Sequence, residues 1–268
     1  MFGRKHRRRG GWPVIAPLRQ VRLGSALVVL STLVGANALQ AADCPVQRQP
    51  NLPRLEEPAS NIDMHKKQLR AYERGMEEDK GIYYEDVKRV IEDARIYVMS
   101  RVEKVERPAV VLDIDETSLS NWANMDADDF GFIGAGECSM QPKVACGFPA
   151  WIDRAEGEAI APTLKFFNEL QAKGVAVFFI TGRRDSQRRA TILNLHHEGF
   201  RGWASLITRP DDDHRDSIVP FKSGERAKLE SGDRPYHIIA TIGDQQTDLD
   251  GGHADCGFKL PNPFYFIP

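Results

Sequence analysis

Ala109-Val110-Val111-Leu112-Asp113-Ile114-Asp115-Glu116-Thr117 sets an unbroken apolar run directly against two carboxylates. Four consecutive apolar residues without polar alternation predict a strand buried on both faces, the condition of a parallel sheet covered by helices. Similar strands are expected at 175–180, at the short Leu206-Ile207-Thr208, and at 236–242. Helical spacing lies between and before them: 61–104 with a break near Gly75, 162–173 stopped by Gly174, 186–197 closed by Gly199, and 222–231. Strand and helix in alternation predict an α/β protein with a doubly wound parallel sheet and an N-terminal helical segment. The stretch 118–158, rich in Gly, aromatics and acids, fits no period.

In such sheets ligands collect at the carboxyl ends of the strands. Three expected strands run into Asp113, Thr181 and Asp244. Asp113 is placed to attack an electrophilic phosphorus and form an aspartyl-phosphate. Asp115, two residues on, is placed to protonate a leaving oxygen and then deprotonate water. In Thr181-Gly182-Arg183 a hydroxyl and a glycine N–H at a strand end suit phosphoryl oxygens. Lys222, opening a helix after Pro220-Phe221, offers an ammonium to the same charges. Gly243-Asp244, with Asp248 four residues later, suits a hard cation such as Mg²⁺ that would bridge Asp113, Asp244 and the phosphate. Each piece alone reads more simply as a turn, a cap or a solvated charge. All of them in order, each at a strand end or helix start, point to phosphoryl chemistry.

These segments resemble the haloacid-dehalogenase-like (HAD) superfamily of phosphatases. Residues 110–121 resemble the opening signature of its acid phosphatase branch, subfamily IIIB, which includes plant acid phosphatases, vegetative storage proteins and bacterial lipoprotein phosphatases. Phe179-Ile180-Thr181-Gly182-Arg183, Phe221-Lys222-Ser223-Gly224-Glu225-Arg226, Gly243-Asp244-Gln245 and the tail from Phe258 to Tyr265 extend the likeness over roughly residues 60 to 268. The resemblance implies a Rossmann-like core, residues 61–268, with a small cap, 119–158, inserted after the first motif. It implies Asp113 as nucleophile and Asp115 as general acid and base. It implies Mg²⁺ held by Asp113, the Asp115 backbone carbonyl and Asp244 with Asp248 in support, and phosphate held by Thr181 and Lys222 beside Gly182 and Arg183. The reaction so implied is hydrolysis of small phosphomonoesters, nucleoside monophosphates among the candidates. A phosphotransferase using the same residues and a non-enzymatic storage protein on the same fold are the rival readings.

Charge narrows the partners. Residues 1–41 carry seven Lys or Arg and no acid, and the rest holds 29 basic against 38 acidic residues, a net of −9. A body this acidic argues against a nucleic-acid polymer as partner. The basic start, the apolar run from Ala26 to Val34 and Ala36-Asn37-Ala38 predict an export signal over 1–41, with no stable membrane span once it is removed. Residues 42–60, Pro-rich, read as a linker or extended arm, and the mature protein is expected to be periplasmic or secreted. Four cysteines then suggest disulfides, Cys138–Cys146 clipping a loop and Cys44–Cys256 as the remaining pair. Phe130, Phe148 and Trp151 are candidates for stacking a base or aryl group, with cap packing the simpler role. His196-His197 are expected at the surface or in packing, the run 211–216 in a solvated loop, and Trp203 in the core. Oligomeric state is not legible.

Overall fold

The protein is described by a computed structural model over Cys44 and residues 61–74, 81–134 and 147–267. The export segment, residues 45–60 and the Cys138–Cys146 pair lie outside these residues. In chain order the elements are α1 (Ile62–Arg74), α2 (Ile82–Met99), β1 (Pro108–Leu112), β2 (Leu119–Ser120), α3 (Trp122–Ala127), α4 (Phe148–Arg154), β3 (Glu158–Ala159), α5 (Ala161–Ala172), β4 (Ala176–Arg184), α6 (Arg188–His197), β5 (Ser205–Arg209), α7 (Val219–Ser231), β6 (His237–Gly243) and β7 (Cys256–Lys259).

Five strands form a parallel sheet in the order β5-β4-β1-β6-β7. The apolar run that opened the reading is its central strand. Val110 and Leu112 face one core with Val177, Phe179 and Phe258, to which α2, α5 and α6 add Val87, Ile91, Phe166, Phe167 and Leu195. Ala109 and Val111 face the other with Phe178, Ile180 and Ile238, to which α7 adds Phe221 and Leu229. Burial on both faces is why the strand shows no alternation, and each such aliphatic side chain contributes about 1.5–3 kcal/mol. Helices on both faces make the sheet doubly wound, as expected.

Besides shifts of a residue or two elsewhere, two boundaries and one strand differ from the sequence reading. β4 continues through Thr181-Gly182-Arg183 to Arg184, because Arg184 pairs in register with Arg209 of β5 after an irregularity. α7 begins three residues early, with Pro220 in its first turn, so Lys222 sits inside that turn. β7 was not anticipated: Cys-Gly-Phe-Lys is too short and polar to read as a strand, and pairing with β6 creates it.

Between β1 and α5 the chain forms a small unit of α3 and α4, closed at its base by antiparallel pairing of β2 with β3. The N-terminal helix α1 grips α3 and the turn after it. Lys66 pairs with Asp129 (2.5 Å), Arg70 with Asp126 (2.6 Å) and Asp129 (2.8 Å), and Arg74 with Asp126 (2.5 Å). A disulfide joins Cys44 to Cys256 across 212 residues. A loop that long implies about 5 kcal/mol of stabilisation on the chain-entropy account. Among the described residues no helix is long and apolar enough to cross a membrane.

Candidate active site

Where β1 ends, the Asp113 N–H donates to the Ile242 carbonyl of β6 (2.9 Å), and Ser118 Oγ donates to the Asp113 carbonyl (2.7 Å). The chain then folds tightly: the Ser118 and Leu119 N–H groups both donate to the Ile114 carbonyl (2.8 Å each). This compact turn fixes Asp113 and Asp115 on the central strand's carboxyl edge. Lys222, buried in the first turn of α7, places Nζ 2.6 Å from Asp113 Oδ1 and also pairs with Asp248 Oδ1.

β6 delivers the other acids. Asp244 Oδ2 accepts from Gln245 Nε2 and Asn262 Nδ2, both at 2.6 Å. Asp248 Oδ2 accepts from the Gln245 N–H at 2.9 Å. Gly243 makes this turn feasible: a Cβ there would lie 2.2 Å from Asp248 Oδ2. Asp113, Asp244 and Asp248, all buried, each bring a carboxylate oxygen within 4.8 Å of the others.

Lys222 pairs with two of these three buried carboxylates, Asp113 and Asp248, and the crowding of charge shows in the titration of Asp113 and Asp244. Burial pushes Asp113 well above the ordinary carboxylate range, against the pull of Lys222. Burial, then the charges of Asp248 and Glu116, raise Asp244 to about 8. Lys222 is itself pushed down by burial, but Asp113 and Asp248 more than reverse this and hold it above its usual range. The donor set, all hard oxygen and in excess of negative charge, fits a divalent cation of the Mg²⁺ type.

Asp115 has a different environment. Burial would raise it, yet the Arg183 guanidinium and Asn121 hold it below the usual range. Arg183 Nη2 and Nε donate to Asp115 Oδ1 at 2.7 and 3.0 Å, and Asn121 Nδ2 donates to the same oxygen at 2.8 Å. Behind them Tyr265 donates to Glu116 Oε2 (2.7 Å), and the Asn121 N–H to Glu116 Oε1 (2.5 Å). Burial, then the Asp115 charge, raise Glu116 to about 7.

A cavity of about 490 Å³ opens over this edge. Asp113, Asp115, Gly182, Arg183, Lys222, Asp244 and Asp248 line it. Thr181 does not: its side chain is fully buried, and its Oγ1 accepts from the Arg183 N–H (3.1 Å). Seven of the eight residues singled out in the sequence thus converge on one cavity, with Thr181 adjoining them in β4. The spacing gave no hint of Glu116, Asn121, Asn262 or Tyr265. The polar floor is faced by an apolar side of Phe130, Phe132, Phe148, Phe266 and Ile267.

The aromatic candidates divide. Phe130 and Phe148 line the cavity, whereas Trp151 is buried and donates its indole N–H to Asn121 Oδ1 (2.9 Å). The acidic run 211–216 is not simply solvated, because Asp213 is buried and pairs with Arg209 (3.1 Å) and Arg215 (2.6 Å). His196 packs its ring against Trp203, which in turn packs edge-on to Phe179.

Comparison with known proteins gives the family and the fold. Residues 51–268 match the HAD superfamily, subfamily IIIB (Acid phosphatase). Acid phosphatase 1 of Solanum lycopersicum is 32% identical over 188 residues, covering 69% of this chain and 69% of that protein. The Stem 28 kDa glycoprotein of Glycine max is 31% identical, covering 69% and 70%. Vegetative storage protein 1 of Arabidopsis thaliana is 29% identical, covering 69% and 66%. The crystal structure of a class C acid phosphatase from Bacillus anthracis with tungstate bound superposes with a TM-score of 0.57 at 20% identity, covering 75% of this chain and 85% of that one, a likeness of fold.

Proposed function

Since the chain belongs to the subfamily IIIB acid phosphatases of the HAD superfamily, and so to the phosphoric monoester hydrolases, we propose that it is an exported, Mg²⁺-dependent acid phosphatase whose nucleophile is Asp113. The observation that carries this is the buried Asp113 carboxylate on the central strand, 2.6 Å from Lys222 and clustered with Asp244 and Asp248.

In the first step an Asp113 carboxylate oxygen bonds to phosphorus, the ester P–O bond breaks, and Asp115, which has to take up a proton against the pull of Arg183 and Asn121 beforehand, gives that proton to the departing oxygen. In the second, Asp115 takes a proton from water, that water's oxygen bonds to phosphorus, and the Asp113–phosphate bond breaks to release inorganic phosphate. Lys222, Gly182 and Arg183, which line the cavity, form the positive side of the phosphate site, with Thr181 behind them holding the Arg183 N–H. A divalent cation held by the Asp113, Asp244 and Asp248 carboxylates, with the Asp115 carbonyl, would screen the approach of a phosphate dianion to a carboxylate. The Arg183 guanidinium, turned onto Asp115, serves the acid as much as the phosphate. Substrates are small phosphomonoesters; Phe130 and Phe148 on the apolar side of the cavity suit an aryl or nucleoside leaving group.

Export rests on the charge and apolar pattern of residues 1–41 and agrees with the Cys44–Cys256 disulfide, which suits an oxidising periplasmic or secreted setting. The likeness to a vegetative storage protein keeps a non-enzymatic role in view, and the intact set of Asp113, Asp115, Lys222 and Asp244 argues against it. Purified protein is expected to hydrolyse an aryl phosphate with Mg²⁺ and to stop when the metal is chelated. Asp113→Asn is expected to fold and to be inactive. Full turnover by that variant rules out the nucleophile assignment, and full turnover after exhaustive chelation rules out the metal. Adding an alcohol acceptor and analysing products separates hydrolysis from phosphotransfer.

A further inference from the structure

Asp115 uses its two oxygens unequally. Oδ1 accepts three donors: Arg183 Nη2 (2.7 Å), Arg183 Nε (3.0 Å) and Asn121 Nδ2 (2.8 Å). Oδ2 accepts a single longer contact, from Arg183 Nε at 3.2 Å. A carboxylate oxygen has about two lone-pair directions, so Oδ1 is saturated and Oδ2 retains the capacity to carry a proton.

Asn121 is itself locked. It is fully buried. Its Nδ2 also donates to Glu116 Oε2 (3.2 Å), its backbone N–H donates to Glu116 Oε1 (2.5 Å), and its Oδ1 accepts the Trp151 indole N–H (2.9 Å). Which way the amide faces follows from chemistry, because an indole N–H only donates and an ionised carboxylate only accepts. Glu116 is pinned in turn by Tyr265 and by a backbone at φ +51°, a left-handed conformation a glutamate rarely adopts. Trp151 belongs to α4, in the segment between β2 and β3, so one amide joins the cap's packing to the acid.

We infer that Asn121 is a positioning residue for Asp115: it occupies Oδ1, presents Oδ2 as the oxygen that exchanges the proton with the leaving group, and ties that arrangement to α4 through Trp151. This rests on the reading of Asp115 as the acid. A residue that only supported the fold would slow all substrates alike. One that presents an acid matters most when the leaving group needs a proton.

The test compares kcat/KM for phenyl phosphate, whose leaving oxygen is basic, with that for 2,4-dinitrophenyl phosphate, whose leaving group departs as a stable anion. Positioned proton transfer is worth about 10²–10⁴-fold, so Asn121→Ala is expected to lose roughly tenfold or more on phenyl phosphate relative to the dinitrophenyl ester. Trp151→Phe keeps the ring and removes the donor. It is expected to shift the same ratio in the same direction by about threefold, a small part of that range. Trp151→Phe also decides the matter if Asn121→Ala does not fold. Equal losses on both esters, or none, overturn the inference. Asp115→Asn is the control. If it too lacks a leaving-group-dependent loss, the assignment of Asp115 as acid fails; if it alone shows one, only the role of Asn121 fails.

Discussion

Lys222→Met places the heaviest demand on the site's electrostatics. The side chains of Lys222, Asp113 and Asp248 are 6%, 7% and 3% exposed, so none is screened by solvent. Methionine fills similar volume but removes the only side-chain cation within salt-bridge reach of either acid among the described residues. Breaking a buried pair by deleting one partner costs about 3–5 kcal/mol, since the other charge stays desolvated. For a domain of this size that corresponds to a fall in Tm of roughly 6–20 °C. Urea unfolding of chelated protein, followed by tryptophan fluorescence, reads the change directly. Adding Asp248→Asn removes one stranded charge, so the double variant is expected to recover part of the loss, with a coupling of about 0.5–3 kcal/mol. Raising ionic strength is expected to leave the wild-type pair largely unaffected, because buried pairs are weakly screened. A loss below about 1 kcal/mol in Lys222→Met, or a double variant less stable than the single one, refutes the reasoning.

Gly243→Ala tests the metal cluster by geometry alone. A Cβ 2.2 Å from Asp248 Oδ2 and 2.3 Å from Asp248 Cβ forces that side chain away from Asp113 and Asp244. The Mg²⁺ concentration needed for half-activation is expected to rise roughly 10–100-fold, and an unchanged requirement contradicts the assignment. Glu73, a buried residue of α1, titrates above the usual range because burial disfavours its charge, with Tyr84 donating to it at only 3.4 Å. A raised folded-state value favours the fold at low pH, and that contribution is lost as pH rises through it. Glu73→Gln keeps the acceptor and removes the charge, so it is expected to unfold later than wild type at pH 8 and no later at pH 4; a pH-independent difference counts against this.

What could be read from the sequence and what could not divide along physical lines. β1, β4 and β6 were visible because a strand covered on both faces must be continuously apolar, and their ends were visible because a polar residue must follow where the cover stops. Asp113, Asp115, Lys222, Asp244 and Asp248 were therefore located before any geometry was known. β7 was hidden, since its strand state is conferred by pairing with β6 and not by its own residues. Asn121, Asn262 and Tyr265 were hidden for a related reason. An asparagine amide or a tyrosine hydroxyl carries no pattern of its own, and its role appears only when folding sets it against a buried carboxylate. The run 211–216 misled because counting acids does not reveal that Arg209 and Arg215 pair with one of them, Asp213, and cover it.

The tail from Asn262 to Ile267 shows why the chemistry and the choice of substrate can separate in this fold. Two of its side chains and one backbone group are committed: Asn262 donates to Asp244, Tyr265 donates to Glu116, and the Ile267 backbone N–H donates to Gln245 Oε1 (3.1 Å). Changing Asn262 or Tyr265 is expected to disturb a buried acid, Asp244 or Glu116. Phe266, between two committed residues, is 75% exposed at the cavity, and Phe132 across from the floor is 82% exposed. Phe132 keeps one tilted ring contact, with Phe148 at 6.1 Å, and both exposed rings would gain apolar contact when something enters the cavity. Substitution there is expected to alter which ester is held while leaving the Asp113, Asp115 and Lys222 geometry intact. On the proposed mechanism the sheet edge would carry out phosphoryl transfer, and the apolar residues at the cavity mouth are expected to bear on what carries the phosphate.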